Sequence, residues 1–173
     1  MDRRNVDNHA VAFLQLRQQR LAEKVRRAHV DRVEQVKLLD DVDPAVRYWA
    51  VVGLLALGDK AADAADALRA RLADTAPAVR IEAAWALSGL DHGDKALAVL
   101  LRELEGDNPH ARIRAARALQ MLGEKTRSGR ESINRAFQDC ERALADHWRN
   151  KTDEKYDRYV WCALGPAVKA LAK

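Results

Sequence analysis

The chain has 173 residues, enough for one domain with a continuous core. Apolar residues make up 48%, and only 8 Gly and 4 Pro interrupt them, which reads as a folded, helical composition. The formal net charge of +4 is too small a surplus to indicate nucleic acid, and no stretch approaches the roughly 18 apolar residues of a membrane span.

The charge is uneven. Residues 1–39 carry 9 basic and 5 acidic groups, residues 40–91 carry 5 and 9, and residues 92–173 carry 16 and 12. The first predicted element is a helix within residues 6–27. It places Val6, Ala10, Phe13, Leu14, Leu21 and Val25 on one stripe. It reads as an N-terminal cap over residues 1–29, since the ends of a repeat array have one neighbour instead of two. This end carries charges throughout and no apolar core, so it is not a signal peptide.

A repeat follows. "DPAVRYWAVVGLLALG" starts at 43, "APAVRIEAAWALSGLD" at 76 and "NPHARIRAARALQMLG" at 108. Pro44, Pro77 and Pro109 are 33 and 32 residues apart, and Arg47, Arg80 and Arg112 follow each at a fixed offset. Asp43 and Asn108 are N-cap residues, proline suits the first helical position, and Gly58 and Gly123 stand where a helix ends in a left-handed residue. Before each proline lies another amphipathic run, at 31–40, 62–74 and 94–106, the first opened by a capping box of Asp31 and Glu34. The unit is therefore helix A, a turn and helix B, over 30–58, 61–91 and 94–123. A longer pair is predicted over 127–173, with helix A in 128–148 and helix B in 156–173, kinked or broken at Gly165-Pro166. Turns are expected near 41–44, 74–77, 106–109 and 149–155. No period-two alternation appears, so no strand is assigned. The fold class is all-α: an α-solenoid of about four antiparallel helix pairs in a single domain.

These residues resemble the HEAT-type repeat, in particular the phycobilisome-lyase-like HEAT class. "AVRYWAVVGLLALG", "AVRIEAAWAL", "NPHARIRAARALQMLG" and "YDRYV" are most similar to the C-terminal helical repeats attached to some bacterial sulfatases. That resemblance implies an accessory, non-catalytic module. The sulfatase signature Cys-x-Pro-Ser-Arg is absent, since neither Cys140 nor Cys162 is followed by it. The expected compartment is the cytoplasm, or the periplasm or exterior if the chain is a piece of a longer sulfatase-like protein.

Stepping 100° per residue along helix B puts Val46, Ala50, Gly53, Leu54 and Leu57 on one arc, with apolar residues at the same positions in each copy: Val79, Ala83, Ala86, Leu87, Leu90, and Ala111, Ala115, Ala118, Leu119, Leu122. This is the face toward helix A. Arg47, Arg80 and Arg112 lie on one flank, where they are expected to bond an aspartate or carbonyl of the adjacent turn. Trp49, Glu82 and Arg114 lie on the other, where Trp49 is expected to fill a gap between repeats. The remaining face carries Tyr48, Val52 and Leu55, then Ile81, Trp85 and Ser88, then Ile113, Arg117 and Gln120. It is apolar in two copies and turns basic in the third. Tyr48, Val52, Ile81, Trp85, Ile113 and Arg117 are the candidate binding surface for a protein or peptide. Cover by the chain's own ends, or a dimer partner, are the other readings, and the oligomeric state is open.

Catalytic chemistry is missing. His9, His29, His92, His110 and His147 pair with no acid at ligand spacing, and there is no phosphate loop, so no catalytic residue, metal or cofactor is assigned. Cys140 and Cys162 form no metal motif or disulfide framework and are expected as buried thiols. Asp40, Asp41 and Asp43 read as capping residues, with a cation site as the other reading. Residues 147–159 are expected as a solvated loop in which Trp148, Arg149 and Lys151 could touch a partner or nucleic acid. The alternative function is nucleic-acid binding, as in the HEAT-like alkylated-base glycosylases, through Arg112, Arg114, Arg117, Lys125, Arg127 and Arg130, with Trp85 as a stacking platform.

Overall fold

A computed structural model describes residues 32–90, 93–150 and 155–172. Among them there are eight α-helices and no strand: α1 (Arg32–Leu38), α2 (Pro44–Leu57), α3 (Ala65–Arg71), α4 (Pro77–Gly89), α5 (Gly93–Glu105), α6 (Pro109–Leu122), α7 (Arg130–Asn150) and α8 (Lys155–Leu171). The predicted cap, with its stripe from Val6 to Val25, lies outside the described residues, as does the Asp31 half of the capping box.

The start signals act as the sequence suggests. Asp43 accepts the N–H of Ala45 at 2.9 Å, and Asn108 accepts those of His110 and Ala111 at 3.0 and 3.2 Å. Ala76 has no capping side chain of its own, and Asp74 accepts its N–H at 2.9 Å. Asp41 does the same for Asp43 in the preceding turn, so Asp41 and Asp74 are equivalent turn-formers. Asp40 pairs with Arg71 at 3.1 Å. Gly58 and Gly123 have φ of 53° and 54°, with ψ of −131° and −122°, the mirror image of an extended residue and open to glycine alone. After each the chain makes a 3-10 segment, Gly58–Ala64 and Gly123–Gly129. Helix A of the second repeat is consequently α-helical only over 65–71, shorter than its apolar pattern.

Helices α2, α4, α6 and α8 lie side by side in one layer. The A helices cover it: α1 packs on α2, α3 on α4, and α7 on α8, while α5 wedges against both α4 and α6. The face predicted to meet helix A does so. Leu54 is 1% exposed, and Leu87 and Leu119 are fully buried. Gly53 sits at one close approach: a Cβ there would meet the side-chain amide of Gln35 on α1 at 2.0 Å, and that side chain would have to swing aside. A second buried column, Val51, Ala84 and Ala116, lies between adjacent B helices, where alanine lets the backbones approach.

The arginines tie successive repeats together. Arg47 donates from Nε and Nη2 to the two carboxylate oxygens of Asp74, at 2.7 and 2.8 Å, and from Nη1 to the carbonyls of Asp41 and Val42. Arg80 bonds the carbonyls of Asp74 and Thr75 at the same offsets, but the residue equivalent to Asp74 in the next repeat is Gly106, and Arg80 pairs with Glu103 at 2.8 Å instead. Arg112 reaches the Leu104 carbonyl, Asp157 of α8 at 3.1 Å, and the Cys140 sulfur. Burial pushes the Asp74 carboxyl up, but the Arg47 hydrogen bonds, the Ala76 N–H and the charges of Arg47 and Arg71 outweigh it, so it stands below the ordinary aspartate value.

Three expectations are corrected. Helix α8 runs through Pro166 without a break. The preceding residue is Gly165, which lacks the Cβ that makes an α conformation costly before proline. The segment 147–159 is mostly helix, since α7 continues to Asn150 and α8 starts at Lys155. Both cysteines are free, but only Cys140 is buried. Cys162 is exposed beside Trp161, whose ring stacks on Phe137 at 5.8 Å.

Candidate binding groove on the helix B layer

The adjacent residues Arg47, Tyr48 and Trp49 point in three directions, as a 100° step requires. Arg47 is turned into the repeat junction. Tyr48 is half-buried, and Trp49 is 42% exposed, its ring edge-on to Tyr48 at 5.3 Å. Trp49 therefore fills no gap between repeats.

Tyr48 opens an apolar groove of about 560 Å³ that crosses three B helices. Helix α2 supplies Tyr48, Val52, Leu55 and Ala56, α4 supplies Glu82 and Trp85, and α6 supplies Arg114 and Arg117. Four of the six sequence candidates, Tyr48, Val52, Trp85 and Arg117, line it. Ile81 does not, because it is fully buried between helices. Ile113 is half-buried, packs against the core and stays out of the lining. The open face of the B layer runs through the columns of Trp49, Val52 and Ala56. That is roughly 60° around the helix from the face assigned by phase alone, at 100° per residue. Ile81 is covered in the middle repeat, while Tyr48, at the same position of the first repeat, stays half-buried at the groove.

Glu82 and Arg114 are the groove residues that the sequence reading left on a flank. Arg114 donates from Nη1 to the Tyr48 hydroxyl at 3.1 Å and lies 3.5 Å from Glu82 Oε1, with its guanidinium over the Tyr48 ring at 5.1 Å. Glu82 is only 7% exposed. Burial raises its carboxyl above the ordinary glutamate value, and the charge of Arg114 and the Tyr48 hydroxyl offset this only in part. The one available signal was a column reading Trp49, Glu82, Arg114, in which an acid and a base occupy successive repeats.

A raised carboxyl favours the fold when protonated. This contribution is complete below the unfolded value of about 4.3 and lost as pH rises through the higher folded value. Glu82→Gln is therefore expected to match the wild type in urea denaturation near pH 4 and to exceed it at pH 8. A variant less stable than wild type at pH 8 would mean that the Arg114 contact outweighs burial.

Residues 34–120, and overlapping them 65–147, match the HEAT repeat pattern. The chain belongs to the HEAT repeat family. HEAT repeats generally mediate protein interactions, and the first matched span contains every residue lining the groove. No curated protein matches the chain. Among the described residues of this HEAT repeat protein, no helix is long and apolar enough to cross a membrane, and no group of three or more His, Cys, Asp and Glu could hold a metal ion.

Two of the basic residues of the alternative reading are engaged in contacts within the fold. Arg112 is committed to Asp157 and the Leu104 carbonyl. Lys125 donates to the carbonyls of Ser88 and Gly89 at 3.4 and 3.2 Å. Arg114 and Arg117 face the groove, and Arg127 and Arg130 are exposed in and just after the 3-10 segment.

Proposed function

We propose that this HEAT repeat protein is a non-catalytic interaction module that holds a protein segment in the groove of Tyr48, Val52, Trp85 and Arg117, with Glu82 and Arg114 as part of the same site. The observation that carries the reading is the pair of partly exposed aromatic rings, Tyr48 and Trp85, contributed by two adjacent repeats to one open apolar groove. Aromatic side chains beside an arginine have the make-up of interface hot spots, and an apolar groove left open to water marks a contact surface. Its resemblance to the helical repeats of some bacterial sulfatases supports a place beside a catalytic domain, as an accessory that positions it or its substrate.

The test is Trp85→Ala. Peptides selected on the wild-type protein from a displayed library should lose about 2 kcal/mol or more of binding free energy on this variant. They should bind Lys95→Ala, altered on an exposed site of α5, as the wild type does. Circular dichroism confirms that each variant is folded. Selected peptides that ignore Trp85→Ala would remove the groove as the site.

A further inference from the structure

We infer that the segment held in this groove is an acidic amphipathic helix, with an apolar face against Tyr48 and Trp85 and carboxylates against Arg114 and Arg117. The inference rests on the groove being a binding site, and it assigns the partner's chemistry from the charges around it.

Arg114 and Arg117 are three residues apart on α6, so they project from the same side of the helix as neighbours. Both line the groove together with Tyr48 and Trp85, Arg114 lying over the Tyr48 ring. Arg114 is held in place through Nη1 by Tyr48 and Glu82, and its side chain is 46% exposed. Among the described residues its Nε and Nη2 make no hydrogen bond. Arg117 is exposed and makes no hydrogen bond or ion pair among the described residues. Glu82 is the one acid of the lining, and Arg114 answers its charge. One positive charge and several forked donors are thus left facing an apolar trough. Guanidinium forks match carboxylates in a bidentate fashion. Two of them on one helix face match acids spaced three or four residues apart on a partner helix, which brings its own apolar residues to the trough. A basic segment would meet like charge, and this includes residues 1–39 of the chain itself, which carry 9 basic and 5 acidic groups. A nucleic acid strand gains its affinity from several phosphate contacts, and the groove supplies two cations beside a carboxylate.

Three peptides of about 16 residues test this, identical on a Leu/Phe face and carrying Glu, Gln or Lys beside it. Affinities for the full chain are read by fluorescence anisotropy at about 100 mM salt, where the Debye length of ~10 Å leaves contact charges effective. The Glu peptide is expected to bind about 10-fold or more tightly than the Gln peptide, and the Lys peptide most weakly. Arg117→Glu should reverse that order, and the same charge change at Lys95 should leave it in place. Trp85→Ala should weaken all three. If Trp85→Ala weakens the peptides but their order is flat and Arg117→Glu leaves it so, the acidic partner is wrong and the groove stands. If no peptide binds, or Trp85→Ala changes nothing, the groove fails and this inference with it. A single-stranded oligonucleotide that displaces the Glu peptide and binds more tightly would overturn it in favour of nucleic acid. A dimer seen in sedimentation and dissolved by Trp85→Ala would overturn it in favour of a second copy.

Discussion

Arg47→Ala is expected to destabilise the protein by about 3–5 kcal/mol, the loss that follows when one partner of a buried ion pair is removed. Arg47 and Asp74 are 9% and 8% exposed and bonded through both carboxylate oxygens. The pair joins the first repeat to the second, and the same guanidinium satisfies the carbonyls of Asp41 and Val42. Without it, a buried carboxylate keeps only the Ala76 N–H and the more distant Arg71, 3.8 Å away. The loss comes from the stranded charge, so replacing the pair together, Arg47→Met with Asp74→Leu, is expected to cost much less. The pH dependence has a definite sign. The Asp74 carboxyl is depressed, so its contribution is present above the ordinary aspartate value of about 3.9 and lost as pH falls through the lower folded value. The gap between wild type and Arg47→Ala in urea denaturation should be widest at neutral pH and narrow as pH falls through the lowered folded value of Asp74. A gap independent of pH would show that the carbonyl bonds, and not the ion pair, carry the junction.

The repeat was legible because it rests on local rules. Proline at the first helical position, Asp43 and Asn108 as caps, and glycines at 58 and 123 each have a reason within a few residues of themselves. The arginine column was legible as a junction because a long donor on a repeat flank finds the next turn. Its partners were not, since the Asp74 position becomes Gly106 one repeat later and the bond passes to Glu103. The groove was half legible. Helical phase separates inside from outside but cannot say how tightly neighbouring helices stack, and that stacking buried Ile81 and exposed Trp49. Glu82 and Arg114 became visible only as a pair, because they meet across two repeats and 32 residues of sequence. Pro166 does not break α8 because a proline's effect on a helix depends on the residue before it, here glycine.

Leu87→Ala is expected to cost about 2–5 kcal/mol, the range for removing a leucine from a site that cannot collapse around the cavity. Leu87 is fully buried on α4, which packs against α2, α3, α5 and α6 and so stands at the centre of the described array. Each of those helices would have to move to refill the space. Met121, 59% exposed on α6, is the control: Met121→Ala should stay within about 0.5 kcal/mol. The cavity lies on the core face of α4, the helix that touches neighbours on both sides, so its effect should fall on the whole array rather than on one pair. Far-UV circular dichroism reports every helix, while fluorescence reports Trp49, Trp85, Trp148 and Trp161 on four different ones. In Leu87→Ala the two signals are expected to shift to lower urea together, in one transition. Separate midpoints for fluorescence and dichroism would mean that α4 does not couple the repeats. A loss below about 1 kcal/mol would mean that its neighbours relax into the space Leu87 fills.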